Sequence, residues 1–365
     1  MSEDKDLRQD GGLTYPAVFD GRVEQEDFGR QDRSRKKRKT ARAAVSFFVT
    51  GILLAVLILL SVNIGSLKVS PSELFRGLFI ERIDDVAAIY DLRFPRIVIS
   101  LFAGAAVAVS GVLFQAVLKN PLADPGIIGI SSGAGFTAVV ITAFVPSLFF
   151  FTPVFAFLGG VLAFFLVYSL SWKGGLSPLR IILVGVAVNA MFSGLSSALN
   201  SMTGGNASGV AAIVNGNITM KTWEDVGTLL PYVAAGLLLA LCFAGRCNLL
   251  SLEDQTARSL GVNVNALRIL ISLAAVLLAS ISTAVAGAVS FLGLIVPHMG
   301  RLLVGSDHRA LIPFSMLLGA FTYLLADTLG RTIAAPYEIS ASIIMSVAGG
   351  PFFILLLRRS GKYAG

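Results

Sequence analysis

Residues 92–135 read LRFPRIVISLFAGAAVAVSGVLFQAVLKNPLADPGIIGISSGAG, and from Ile97 to Leu118 the run carries no charge for 22 residues. About 20 apolar residues in a helix cross a bilayer's hydrocarbon, because a helix satisfies its own backbone N–H and C=O groups where water is absent. The run breaks at NPLADP. Pro121 and Pro125 each bias the preceding residue away from helix and have no N–H to donate, so Asn120 and Asp124 sit at forced breaks. Non-helical backbone this close to hydrocarbon is tolerated only where protein buries it or water reaches it. GISSGAG then opens the next apolar run with small and hydroxyl-bearing residues. The break is either an ordinary tight turn or a constriction lining a pathway.

The whole chain extends this reading. Of its 365 residues 55% are hydrophobic and 14% charged, and the mean hydropathy is +0.78, beyond what soluble domains of this length reach. Stretches such as FFVTGILLAVLILL do not alternate, which excludes a transmembrane barrel. The fold class is an all-α membrane protein, a polytopic bundle of about ten transmembrane helices. The expected spans are 43–62, 94–118, 126–145, 153–171, 179–202, 228–245, 267–286, 288–304, 310–330 and 339–357, with the seventh and eighth least sharply divided. The first is read as a retained helix, because no small-residue cleavage site follows it.

Residues 1–42 form a charged tail, expected to be cytoplasmic and disordered. They precede a permease domain at 43–358, which contains an inner loop at 246–268, and a short C-terminal tail at 359–365. RQDRSRKKRKTAR holds eight Arg and Lys and abuts the first span. A basic run so placed holds a helix end on the cytoplasmic side and touches anionic lipid, a reading preferred to nucleic-acid binding. With that end inside, 19 of the 29 Lys and Arg fall in inner segments, so both termini are expected in the cytoplasm.

Individual residues sharpen the picture. GAAVAVSG, from Gly104 to Gly111, lets helix backbones approach closely. Gln115, one polar amide on the same helix, is either an interhelical hydrogen-bond group or part of a pathway wall. In the inner loop RCNLLSLEDQTARSLGVNVNALR, Ser251 and Asp254 have capping-box spacing and Gly261 supplies a helix stop, so a short helix is expected there. Leu252, Ala257 and Leu260 offer it apolar contacts, and Glu253, Asp254 and Arg258 offer charges. A helix this short is stable only when something packs on it. The sequence contains no GxxxxGK[ST] phosphate loop, so ATP hydrolysis by that chemistry is not expected of this chain. Cys242 and Cys247 make no metal or disulfide pattern, and His298 and His308 have no recognised metal spacing. Asp327 and Glu338 are the acids nearest the membrane interior, which makes an ion-coupled secondary transporter a rival reading. Asp327 is also spaced four residues from Arg331, suited to an intrahelical pair. An intramembrane hydrolase is disfavoured, since no serine and histidine or carboxylate pair has a convincing catalytic pattern.

Residues 92–135, together with VSFLGLIVPHMGRLLVGSDHRALIP and AGGPFFILLL, resemble the FecCD family across most of 65–358. These are membrane-spanning subunits of ATP-driven importers for ferric siderophores, haem and vitamin B12. The resemblance implies a fold like the vitamin B12 importer permease. It also implies a second permease copy, identical or paralogous, two ATPase subunits carrying ATP and Mg, and an extracytoplasmic substrate-binding protein. No cofactor or metal is expected in this chain, which would be a transport subunit and not an enzyme, in the cytoplasmic membrane of a prokaryote. The expected cargo is an iron chelate, with ferric siderophore first and haem or vitamin B12 as alternatives. By resemblance, Gln115, Asn120 and Leu122 belong to the translocation pathway and inner gate. Leu252, Glu253, Asp254, Ala257, Arg258, Leu260 and Gly261 would couple to the ATPase, and Arg76, Arg82 and Arg331 would dock the binding protein. Helices two to five and seven to ten would be inverted repeats. Relatives commonly have a Pro and a Gly shortly after the Glu that corresponds to Glu338. Here Ile339, Ser340, Ala341 and Ser342 follow, and a less bent helix start is expected.

Overall fold

A computed structural model of the protein describes residues 21–64, 69–81, 83–171, 178–203 and 208–360. The described residues form helices and no strand. They are α1 (Gly21–Asn63), α2 (Pro71–Phe79), α3 (Asp84–Leu92), α4 (Phe94–Val117), α5 (Ile130–Phe144), α6 (Thr152–Ser171), α7 (Pro178–Met202), α8 (Ser208–Asn215), α9 (Trp223–Leu250), α10 (Asp254–Ser259), α11 (Val264–Ala286), α12 (Leu292–Val304), α13 (His308–Ile333) and α14 (Ala341–Ser360). Seven helical stretches among the described residues are long and apolar enough to cross a membrane. The shorter apolar helices 130–144, 292–304 and 341–356 bring the set to the ten expected from hydropathy. The protein is therefore a multi-pass helical membrane protein.

Local chemistry explains most of the boundaries. Ser70 and Glu73 close a reciprocal capping box at α2, with Ser70 N–H donating to Glu73 Oε2 at 2.8 Å. Asn263 accepts from the Ala266 N–H to start α11, and Asp307 accepts from the Arg309 N–H to start α13. The uncertain seventh and eighth spans separate at Gly287, whose φ of +76° ends α11. A side chain there would strike the Gly216 backbone, so this break combines a left-handed turn with close chain approach.

The core is organised around α4, which is buried along nearly its whole length and packs against α13, α11, α9 and α12. The small residues expected to permit close approach do so. A Cβ on Gly104 would come 2.5 Å from the Gly319 carbonyl of α13, and one on Gly111 would collide with the Gly293 backbone of α12. Ser110 donates to the Ala275 carbonyl of α11 at 2.7 Å.

α1 begins at Gly21 and runs through the basic run. One local expectation is corrected. Ser251 does not cap the short loop helix: α9 extends to Leu250, Ser251 becomes its C-cap, and the Ser251 hydroxyl bonds the Cys247 carbonyl. Glu253 occupies the N-cap of α10 without a side-chain cap bond. Gly261, at φ +78°, does end the helix as its position suggested.

Candidate functional site

The residues that end α4 and begin α5 are folded around two side-chain turns. Asn120 Oδ1 accepts from the Leu122 N–H at 2.9 Å, and Asp124 Oδ1 accepts from Gly126 at 2.8 Å and Ile127 at 3.2 Å. Both are the local bonds that Asn and Asp form where a Pro has removed the helical alternative. Asp124 is fully buried, and its Oδ2 lies against Gly293 with no hydrogen-bond partner. Burial pushes its carboxyl up to about 6, only partly offset by the Ile127 and Gly126 amides.

Gln115 holds this turn from above. Its Nε2 donates to the Ala123 carbonyl at 3.1 Å and the Gly293 carbonyl at 3.2 Å, while Arg301 of α12 donates to its Oε1 at 2.5 Å. Of the two roles open from sequence, the hydrogen-bonding one is realised. Gln115, Asn120 and Lys119 nonetheless share the wall of a cleft of about 270 Å³ with Pro121, Ser251 and Arg301. Leu122 is half-buried and packs on the main core. The cleft lies at the end of the bundle that carries α10. The basic start of the α1 span is at the same end, where Arg42 donates to the Leu302 carbonyl.

α10 stands beside this cleft. Ala257 is buried and faces the bundle. Leu252 and Leu260 are exposed, Leu260 by 63%, and Glu253, Arg258 and Gly261 are also exposed. Asp254 is held on two sides. Lys119 Nζ reaches its Oδ1 at 2.8 Å and Arg268 of α11 reaches the same atom at 2.9 Å. Lys119 beside Asp254 is the main reason its carboxyl titrates below the usual range. Lys119 carries a φ of +49°, a conformation that costs an L-residue about 1–2 kcal/mol. Its signal in the sequence was only its place two residues beyond the last residue of a helix and directly before Asn-Pro.

At the opposite end of α4 a buried charge cluster replaces the expected arrangement. Arg96 donates to Asp327 from Nε at 3.0 Å and Nη2 at 2.8 Å, and to Glu338 from Nη1 at 2.8 Å. Sequence spacing offered Arg331 as an intrahelical partner for Asp327. Arg331 does approach it at 3.3 Å, but Arg96, 231 positions away in sequence, makes the closer bidentate contact. Arg331 also bonds Ser61 of α1 and keeps only 7% of its side chain exposed, so it has little guanidinium to offer a docking partner. Thr219 donates to Glu338 at 2.7 Å, and Ser342, in the segment that departs from relatives, donates to the Ala288 carbonyl at 2.8 Å. Arg76 remains an exposed docking candidate although it pairs with Glu81 at 2.8 Å. Arg82 lies outside the described residues.

No group of three or more metal-ligating side chains occurs among the described residues. His308 Nδ1 lies 2.7 Å from Asn248 Oδ1, and His298 packs edge-on against Phe352. Cys242 and Cys247 are free thiols.

A ten-span bundle with a proline-broken turn, a short exposed helix at the same end and a sealed cluster at the other defines a membrane transport subunit. The chain belongs to the FecCD transport family, whose profile matches residues 53–359. It is 38% identical over 334 residues to the iron(3+)-hydroxamate import system permease protein FhuG of Bacillus subtilis (strain 168), covering 89% of this chain and 99% of that one. It is 42% identical over 298 residues to the "Probable heme-iron transport system permease protein IsdF" of Staphylococcus aureus (strain Newman), covering 82% of this chain and 90% of that one. Among solved structures it is similar to a metal-chelate type ABC transporter in an inward-facing conformation. That match has a TM-score of 0.71 and 29% identity and covers 87% of this chain and 99% of that one.

Proposed function

We propose that this chain is the permease subunit of an ATP-binding cassette importer that carries an iron chelate, a ferric siderophore first, across the cytoplasmic membrane of a prokaryote. The observation that carries the reading is α10, a six-residue helix flanked by the exposed Leu252 and Leu260, beside the turn that breaks the second span. Such a helix needs a partner to pack on it, and an ATPase subunit supplies both partner and fuel. Two ATPase subunits, holding ATP and Mg, would bind the α10 end, which is then cytoplasmic along with both termini. A second permease copy would complete the pore, and a binding protein would load it from the Arg76 end. No cofactor is assigned to this chain. Nucleotide-driven closure of the ATPases would bias the bundle between outward-open and inward-open states.

Haem is the second cargo, favoured by the higher identity to the haem-iron permease, 42% against 38% for the hydroxamate permease. The test reconstitutes the chain in liposomes with its ATPase and binding protein and compares uptake of a ferric hydroxamate with uptake of haem. ATP-dependent uptake of the hydroxamate is expected. Uptake driven by an ion gradient with no companion subunit overturns the proposal.

A further inference from the structure

We infer that Lys119 is a positioning residue, tying α10 to the proline turn so that displacement of α10 pulls on the turn's first residue. This rests on the reading of α10 as the ATPase contact and adds the path by which its motion reaches the gate. α4 ends in a Schellman arrangement: Leu118 caps the helix, Lys119 takes the left-handed conformation, and the Asn120 N–H returns to the Gln115 carbonyl at 3.2 Å. That left-handed position ordinarily takes Gly, which has no Cβ to strain. Here it carries a side chain that crosses 135 positions of sequence to Asp254, and also bonds the Leu252 carbonyl at 2.5 Å. Both contacts fall on the entry to α10. Arg268 grips the same Asp254 oxygen from α11, so the first residue of α10 is clasped between the turn and a long span.

Folding alone does not account for this choice. The Lys119–Asp254 pair is about one-third exposed on each side, a setting in which ion pairs add little stability. Gly at 119 would remove the backbone strain at no loss to α4. The placement does have a mechanical consequence. α10 buries a single side chain, Ala257, so few other contacts join it to the bundle. The cleft beside Lys119, Asn120 and Pro121 leaves the turn unpacked on one side and free to follow.

The test uses the assembled complex with its ATPase and binding protein in proteoliposomes, reading substrate transported per ATP hydrolysed. Lys119→Gly should lower that ratio by at least about fivefold, the lower end of ordinary coupling between sites. ATPase association and thermal stability should stay at or above the parent's, and Lys119→Arg should keep the ratio. A parental ratio in Lys119→Gly overturns the proposal. So does loss of ATPase association in that variant, which would make Lys119 a docking contact. Leu260→Asp is run alongside: if it too leaves association and uptake unchanged, the reading of α10 itself has failed, and not only the clasp.

Discussion

The two ends of α4 are built on opposite plans. At the Arg96 end, four charged side chains from α4, α13 and the approach to α14 share one network in which Arg96, Asp327 and Arg331 are buried, at 6%, 1% and 7% exposed, and Glu338 closes the edge at 37%. Ser61 of α1 and Thr219 ahead of α9 join it. At the α10 end the links are a one-third-exposed ion pair, side-chain bonds to backbone and an open cleft. A buried network of charges resists opening because any broken member leaves an unpaired charge in low dielectric. Half-exposed pairs break at little cost. On the proposed function, electrostatics would hold the Arg96 end closed while cargo leaves, and the α10 end is held by contacts that water can replace.

The sharpest way to break the contrast is at its locked end. Asp327→Ala leaves Arg96 and Arg331 buried without their shared counter-ion, and loss of about 3–5 kcal/mol is expected in denaturant unfolding of the purified protein. A loss below about 1 kcal/mol would show that the cluster is not sealed. The next effect is smaller and belongs to the turn. Asp124 titrates at about 6 in the folded chain, above the ordinary 3.8. The folded state therefore holds its proton more tightly than the unfolded chain, and stability falls as pH rises between about 4 and 6, by up to about 3 kcal/mol. Asp124→Asn keeps an acceptor for the Gly126 and Ile127 amides and should flatten that slope in melting curves taken from pH 4.5 to 7.5. An unchanged slope in the variant would place the titrating group elsewhere.

How much of this was readable in the chain follows from how far each signal reaches. The ten spans, the break at Asn120 and the stop at Gly261 are written in adjacent residues: an uncharged run, a Pro or a Gly. The same local reading misplaced the Ser251 cap, because the preceding helix runs five residues past its apolar window, to Leu250, and takes that serine for its own end. Arg96 with Asp327 and Lys119 with Asp254 join positions 231 and 135 apart. No periodicity within one helix points to such pairs, and the i,i+4 spacing of Asp327 and Arg331 pointed to the weaker of two partners.

The α10 end is tested by function more than by stability. Leu260 is 63% exposed, so Leu260→Asp should leave unfolding unchanged within about 0.5 kcal/mol. A carboxylate placed in an apolar contact should nonetheless reduce ATP-driven uptake by about tenfold or more, with ATPase association weakened to match. Normal association would leave α10 without its proposed partner. The smallest effect belongs to Arg76, exposed and already paired with Glu81. Arg76→Glu places like charges side by side and presents the wrong sign to an acidic partner, slowing capture of the binding protein by a few-fold at low salt. Because exposed charges are screened over about 10 Å at 0.1 M salt, that difference should vanish as ionic strength rises. A deficit that persists in high salt would mean that the substitution disturbs α2 itself, and the Arg76 end would then be held by its fold instead of steering a partner by charge.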